Sequence, residues 1–197
     1  FDVEIEPVND PPHFQSPADF EIAEDAGQQT IALREIHAGG GENQHLRVTA
    51  SSSNPGLTGQ LTVEYTSAET TGDLKFTPTD NLAGEATINV IVEDGGADND
   101  LSTINDNLRH SEVFTVTVTE VNDAPTLTPL DDLTLSSTAG ETTIDLSGIS
   151  AGPGETQILT VTASSSQTNI IGAPAVTYSS DDSAGQLTIT PTGEALG

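Results

Sequence analysis

The chain has 197 residues, with 31 Asp+Glu against 4 Lys+Arg and a formal net charge of -27. Lys and Arg supply nearly all attraction to phosphate backbones and anionic headgroups, so this balance argues against nucleic-acid binding and peripheral membrane docking. Cys is absent, which removes disulfides, thiolate metal sites and cysteine nucleophiles together.

No apolar run approaches the ~20 residues of a membrane span, which argues against membrane insertion. The opening FDVEIEPVND lacks the basic and apolar regions of a signal peptide. With 34% apolar and 4% aromatic residues, two small β domains suit the length better than one large core.

In chain order, period-two alternation predicts strands around Phe20 and Ile22, Ile31 and Leu33, and Leu46, Val48 and Ala50. The same pattern continues through Leu61, Val63 and Tyr65, then Leu74 and Phe76, then Ile88, Val90 and Val92, and finally Phe114, Val116 and Val118. Turn-forming clusters separate them: AGGGEN (38–43), SNPG (53–56) and TTGD (70–73). No stretch has a helical period. Seven short strands in about 110 residues predict an all-β, antiparallel sandwich of immunoglobulin-like topology.

The chain also repeats itself. FDVEIEPVNDPP (1–12) aligns with FTVTVTEVNDAP (114–125), and LRVTASSS (46–53) with LTVTASSS (159–166), both at an offset of 113. That offset holds without a gap over 84 comparable positions, of which 35 are identical. The expected organisation is residues 1–6 as the final strand of a preceding module, 7–120 as a complete module, and 121–197 as a truncated second copy. The frame implies an excised piece of a longer tandem array. It also leads us to expect the second copy to be partly open in isolation.

EVNDAPTL (120–127) and PVNDPPHF (7–14) resemble the linker of cadherins, in which an acidic residue, an Asn-Asp pair and a Pro join consecutive sandwiches. FEIAEDAGQQTI (20–31) is similar to the early cadherin strand carrying a calcium-binding Glu, and VEDGG (92–96) to the late Asp-x-Gly segment. Overall the chain is most similar to the cadherin-like tandem modules of large bacterial surface and secreted proteins. The resemblance implies Ca²⁺ held at the joints between modules, a fitting place for an ion that takes six to eight oxygen ligands. Carried over residue by residue, it implies Glu24, Asp80, Glu120, Asn122 and Asp123 at the joint between the copies, and Asn9, Asp10 and Asp94 at the upstream joint.

Departures limit the ion count to one or two per joint. The Asp-x-Asp pair of the family is replaced by IHAGGGEN (36–43) and ISAGPGET (149–156), leaving Glu42 and Glu155, and Glu24 becomes Ser137 in the second copy. Electrostatics points the same way, because two carboxylates ~4 Å apart repel by roughly 4 kcal/mol at an effective dielectric of ~20. Four basic residues are too few to neutralise such sites throughout.

Other chemistry is weakly represented. The loop DGGADNDLSTINDN (94–107) lacks the Gly and Glu spacing of an EF-hand and reads as a solvated acidic loop. His13, His37, His45 and His110 form no HExxH pair and read as scattered surface residues; no GxSxG elbow or phosphate loop is present. The expectation is therefore non-enzymatic: extracellular calcium-binding modules forming a stiffened stalk or adhesion array, with neighbouring modules as partners. Recognition of a glycan, of another cell's copy of the module or of another cell-surface protein, and a spacer in a secreted polysaccharide-degrading enzyme, are the alternatives.

Overall fold

The computed structural model describes residues 1–2 and 8–193. The chain divides into two compact units, Phe1–Val121 and Asn122–Gly197. The strand expected over residues 1–6 lies largely outside the described residues.

The first unit runs β1 (His13–Gln15), β2 (Phe20–Ala23), β3 (Gln29–His37), β4 (Leu46–Ser52), a one-turn helix α1 (Pro55–Thr58), β5 (Thr62–Glu64), β6 (Gly72–Phe76), β7 (Gly84–Asp94) and β8 (Arg109–Thr119). One sheet has the order β1-β3-β6-β5 and the other β2-β8-β7-β4. With β1 as the first strand, this is the A-B-E-D and G-F-C arrangement of an immunoglobulin-like sandwich, with β2 added beside the last strand. All seven predicted strands are present.

Two features were not anticipated. The first is β1, three residues long and masked by the flanking prolines, which drives Phe14 into the core at 1% exposure. The second is the pairing of β2 with β8, which is parallel (Phe20↔Val116 to Ala23↔Thr119) rather than antiparallel. The chain leaves the first sheet after β1 and crosses through Pro17 to the edge of the second, so β2 arrives running alongside β8.

The core forms where the inward-facing residues of both sheets meet. Phe14, Leu33, Leu74 and Phe76 pack with Ile88, Val90, Val92, Val116 and Val118, all 2% exposed or less. Fully burying each such side chain stabilises the fold by roughly 1.5–3 kcal/mol. The alternation breaks once, in β3. There Glu35 takes φ 56° and the β1–β3 register shifts, so that Leu33 and Ile36 both face inward.

The second unit contains β9 (Thr142–Ser147), β10 (Ala175–Thr177) and β11 (Ala184–Ile189) in the order β10-β11-β9. Its register mirrors the first unit at the offset of 113: Thr62↔Lys75 becomes Ala175↔Thr188, and Gln29↔Phe76 becomes Thr142↔Ile189. The β1–β3 contact His13↔His37 survives as a single bridge, Thr126↔Ser150. Leu146, Ile149 and Ala151 are buried, but Ile158 is 88% exposed.

LTVTASSS (159–166), expected to include a strand like β4, forms none. Strand β4 is held by β7, and the counterpart of β7 begins only at Gly197, so residues 159–166 lack that neighbour among the described residues. What remains is the anchor at the segment's start. The Leu159 amide donates to Ser180 Oγ at 2.9 Å, as that of Leu46 does to Ser67 Oγ at 2.8 Å.

Candidate functional site

Asp94 is the last residue of β7 and is fully buried. Its Oδ1 accepts the backbone amides of Gly96 and Leu108, both at 2.9 Å, and the Asn9 side-chain amide at 3.3 Å. Its Oδ2 is also buried and has no hydrogen-bond partner among the described residues. A buried polar atom left unsatisfied costs ~1–3 kcal/mol and more when charged, and β7 places this one by strand geometry alone.

Asn9 and Asp10 are brought to the same end of the unit. Asn9 Nδ2 donates to the Asp106 carbonyl at 2.8 Å, and Asn9 Oδ1 accepts Gln44 Nε2 at 2.6 Å. Asp10 donates its backbone amide to Glu42 Oε2 at 3.3 Å. The AGGG loop closes over this segment at a distance only glycine tolerates: a Cβ on Gly39, at φ 99°, would stand 2.3 Å from the Pro11 carbonyl oxygen.

Glu24, Asp80 and Glu120 belong to the first unit. Glu24 is 6% exposed; it donates its amide to the Thr119 carbonyl at 2.8 Å and accepts the Val121 amide at Oε1, also at 2.8 Å. Asp80 and Glu120 are exposed. The residue that binds the 80–81 turn is Asp25, whose Oδ1 accepts the Asn81 amide at 2.8 Å. In the second unit, Asn122 accepts Gln157 Nε2 at 3.0 Å, and Asp123 donates its amide to Glu155. Among the described residues, no three His, Asp or Glu side chains are grouped so as to hold a metal ion. Asp94 is fully buried, and the partners of its Oδ1 are the Gly96 and Leu108 amides and the Asn9 side-chain nitrogen.

Sequence reading missed Asp25, Gln44 and the Asp106 carbonyl. Gln44 had a signal, since Gln157 matches it at the offset of 113; the other two depend on chain reversals with no local signature.

The acidic loop satisfies its own carboxylates. Asp98 accepts the Asp100 amide and the Thr103 hydroxyl, at 3.0 and 2.7 Å, and Asp106 accepts the Ala97 amide at 2.8 Å. Ser102, through its amide and hydroxyl, holds the Asp100 carboxyl below its ordinary value.

Three of the four histidines are clustered rather than scattered, while His45 lies exposed elsewhere. The His13 ring lies 5.2 Å from His37 and 5.3 Å from His110, because β1 and β3 register the first two opposite one another and β8 starts beside them. His110 Nε2 lies 3.1 Å from Glu112.

On the outer face of the second sheet, Arg47, Glu93 and Arg109 form a row across β4, β7 and β8. Burial pushes the Glu93 carboxyl up, but its pairs with Arg109 and Arg47 outweigh this and hold it below the usual glutamate value.

No family model and no curated protein matches this chain. Similar solved structures include domains 4–9 of the surface layer protein SbsC, at 12% identity and a TM-score of 0.38. That match covers 95% of this chain but 27% of the other. Domains 5–6 of the S-layer protein SbsC match at 14% and 0.36, covering 92% and 86%. The titin domains z1z2, solved in complex with telethonin, match at 10% and 0.37, covering 93% and 83%. Likenesses this distant carry no functional argument. Among the described residues, no helix is long and apolar enough to cross a membrane.

Proposed function

We propose that this chain is a non-enzymatic pair of cadherin-like modules from an extracellular, surface or secreted protein, and that calcium stiffens its joints. The observation that carries the reading is Asp94, a fully buried carboxylate with one oxygen satisfied and the other without a partner among the described residues. A carboxylate oxygen is a hard ligand and suits calcium better than a soft transition metal, and Asn9 Nδ2, which bonds both Asp94 and the Asp106 carbonyl, holds the segment beside it. Bound there, calcium would supply the positive charge that the buried carboxylate lacks.

The protein's own part is mechanical. Asn9 sits in the segment entering the module and is tied to Asp94 and Gln44, so ordering this end of the sandwich also orders the entering chain. The sequence resemblance extends the same role to Glu24, Asp80, Glu120, Asn122 and Asp123 at the second joint, and to Asp10 at the first. Affinities of ~10⁻⁴–10⁻³ M, usual for extracellular modules, are the expected range.

The test is thermal unfolding and isothermal titration of the full chain in EDTA, calcium and magnesium at matched ionic strength. A calcium-specific rise in melting temperature is expected from linkage to the native state, and it should shrink in Asp94→Asn, which keeps the shape and removes the charge. Equal effects of magnesium or salt would overturn the proposal, as would unchanged calcium binding in both Asp94→Asn and Asp123→Ala.

A further inference from the structure

The first unit covers an apolar sheet face that the second leaves open. In the first, β7 and β8 stand between β4 and β2 and pack over the other sheet, so that Ile31, Leu74 and Phe76 are 9% exposed or less. Among the described residues, the second unit has no strands in the place of β7 and β8. Ile144, Leu187 and Ile189, the counterparts of those three residues at the offset of 113, lie on β9 and β11 in matching register but are only half-buried. Leu127 is 44% exposed where its counterpart Phe14 is 1% exposed.

The two segments that flank those strands in the first unit have open counterparts in the second. Residues 159–165 match β4, which β7 pairs from Leu46↔Asp94 to Ser52↔Ile88, and residues 133–136 match β2, which β8 pairs from Phe20↔Val116 to Ala23↔Thr119. Neither segment forms a strand. Both keep the alternation a strand needs: Leu133 and Leu135 stand for Phe20 and Ile22, and Leu159, Val161 and Ala163 for Leu46, Val48 and Ala50. An apolar face with an open segment of this kind on each side fits two added strands. A second copy laid face to face covers the apolar residues but pairs with neither segment, and a single strand reaches only one of them. A helix offers no backbone donors or acceptors to either, since its own are spent internally.

We infer that the inner face of the second unit is a docking surface for a β-hairpin with the residue pattern of β7 and β8, whose inward residues alternate as Ile88, Val90 and Val92 and as Phe114, Val116 and Val118. The first unit prescribes the fit. Main-chain hydrogen bonds to 133–136 and 159–165 set the register, and alternate side chains fill the face over Ile144, Leu187 and Ile189. The pair between Arg47 and Glu93 is not reproduced, because Thr160 stands for Arg47, but Glu93 and Arg109 travel together within the hairpin.

The probe is a peptide of residues 84–120, added to the full chain in EDTA so that the result is independent of the calcium reading, with amide exchange followed by mass spectrometry. Saturable protection is expected at 133–136 and 159–165, with one peptide bound per chain, while 46–52, already paired with β7, stays unchanged as an internal control. Val90→Asp in the peptide places a charge on the inward face and should abolish the protection. Ile91→Thr, on the outward face, should leave it intact. If the peptide associates with itself, the same two variants are compared with residues 85–120 joined after Gly197, the counterpart of Gly84. Absent protection, protection that never saturates with added peptide, protection that Val90→Asp retains, or protection that arises without peptide in a dimer seen by sedimentation would overturn the inference.

Discussion

Gln44 donates from its side-chain nitrogen to Asn9 at 2.6 Å, across 35 residues of sequence, and thereby clamps the entering segment onto the module. The second copy repeats the clamp between Gln157 and Asn122 at 3.0 Å. The linker's Asn is therefore a structural residue held from both sides: its oxygen by Gln44, and its nitrogen by Asp94 and the Asp106 carbonyl.

Gln44→Leu removes the donor and leaves the part-buried Asn9 oxygen unpaired. The expected loss is about 1 kcal/mol, seen as a lower unfolding midpoint. Calcium affinity measured by titration should fall with it, because Asn9 is no longer fixed beside Asp94.

Glu93 predicts a pH dependence. Its carboxyl is held low by Arg109 and Arg47 in the folded state, so it binds a proton less readily there than in the unfolded chain. Its contribution is thus fully present above the ordinary glutamate value of about 4.5 and is lost as pH falls through the lower folded value. Unfolding midpoints of wild type and Glu93→Gln should converge below that window. Parallel curves across the whole acid range would show that the triad adds nothing.

Phe14→Ala tests whether the three residues of β1 matter. Phe14 is 1% exposed, and truncation of a buried Phe costs about 3–5 kcal/mol. The first unit should lose that much in denaturant unfolding, and the sheet edge along β3 should become more exchangeable. A loss below about 1 kcal/mol would mean that β1 is only loosely attached.

Hydrogen exchange should separate the two copies of one sequence. Amides of β4 pair with β7 from Leu46↔Asp94 to Ser52↔Ile88 and should exchange slowly. Their counterparts at 160–165 should exchange fast, while the amide of Leu159, bonded to Ser180, stays slower than its neighbours. Uniform protection over 159–165 would contradict the structure described here.

Much of the fold was legible because a sandwich strand carries its burial in a period of two. Val90 and Val92 face inward with Ile88, and the polar residues between them face out. Strand β1 was not legible, because three residues after Pro-Pro carry no period. The parallel β2–β8 pair was hidden for a different reason, since strand direction depends on how the chain crosses between sheets and not on the residues that pair.

The candidate site divides the same way. Asp10 and Asn9 stand out in the motif VND, and Gln44 by its recurrence as Gln157. Asp94 and Asp80 look equivalent as acids after a strand, yet one is fully buried and the other exposed. Asp25, beside the expected Glu24, holds the 80–81 turn only because β2 and the β6–β7 connection meet at one end.

The amino-acid sequence by itself determined the all-β class, the alternating faces of the strands, the recurrence at 113 residues and the strongly acidic surface. All of these are set by local periodicity and composition. Only the tertiary structure decided which carboxylate is desolvated, that three histidines pack together, and that residues 159–166 remain without a strand. Burial and pairing are set by distant segments meeting in space, so one sequence pattern forms a strand where β7 pairs with it and none over 159–166.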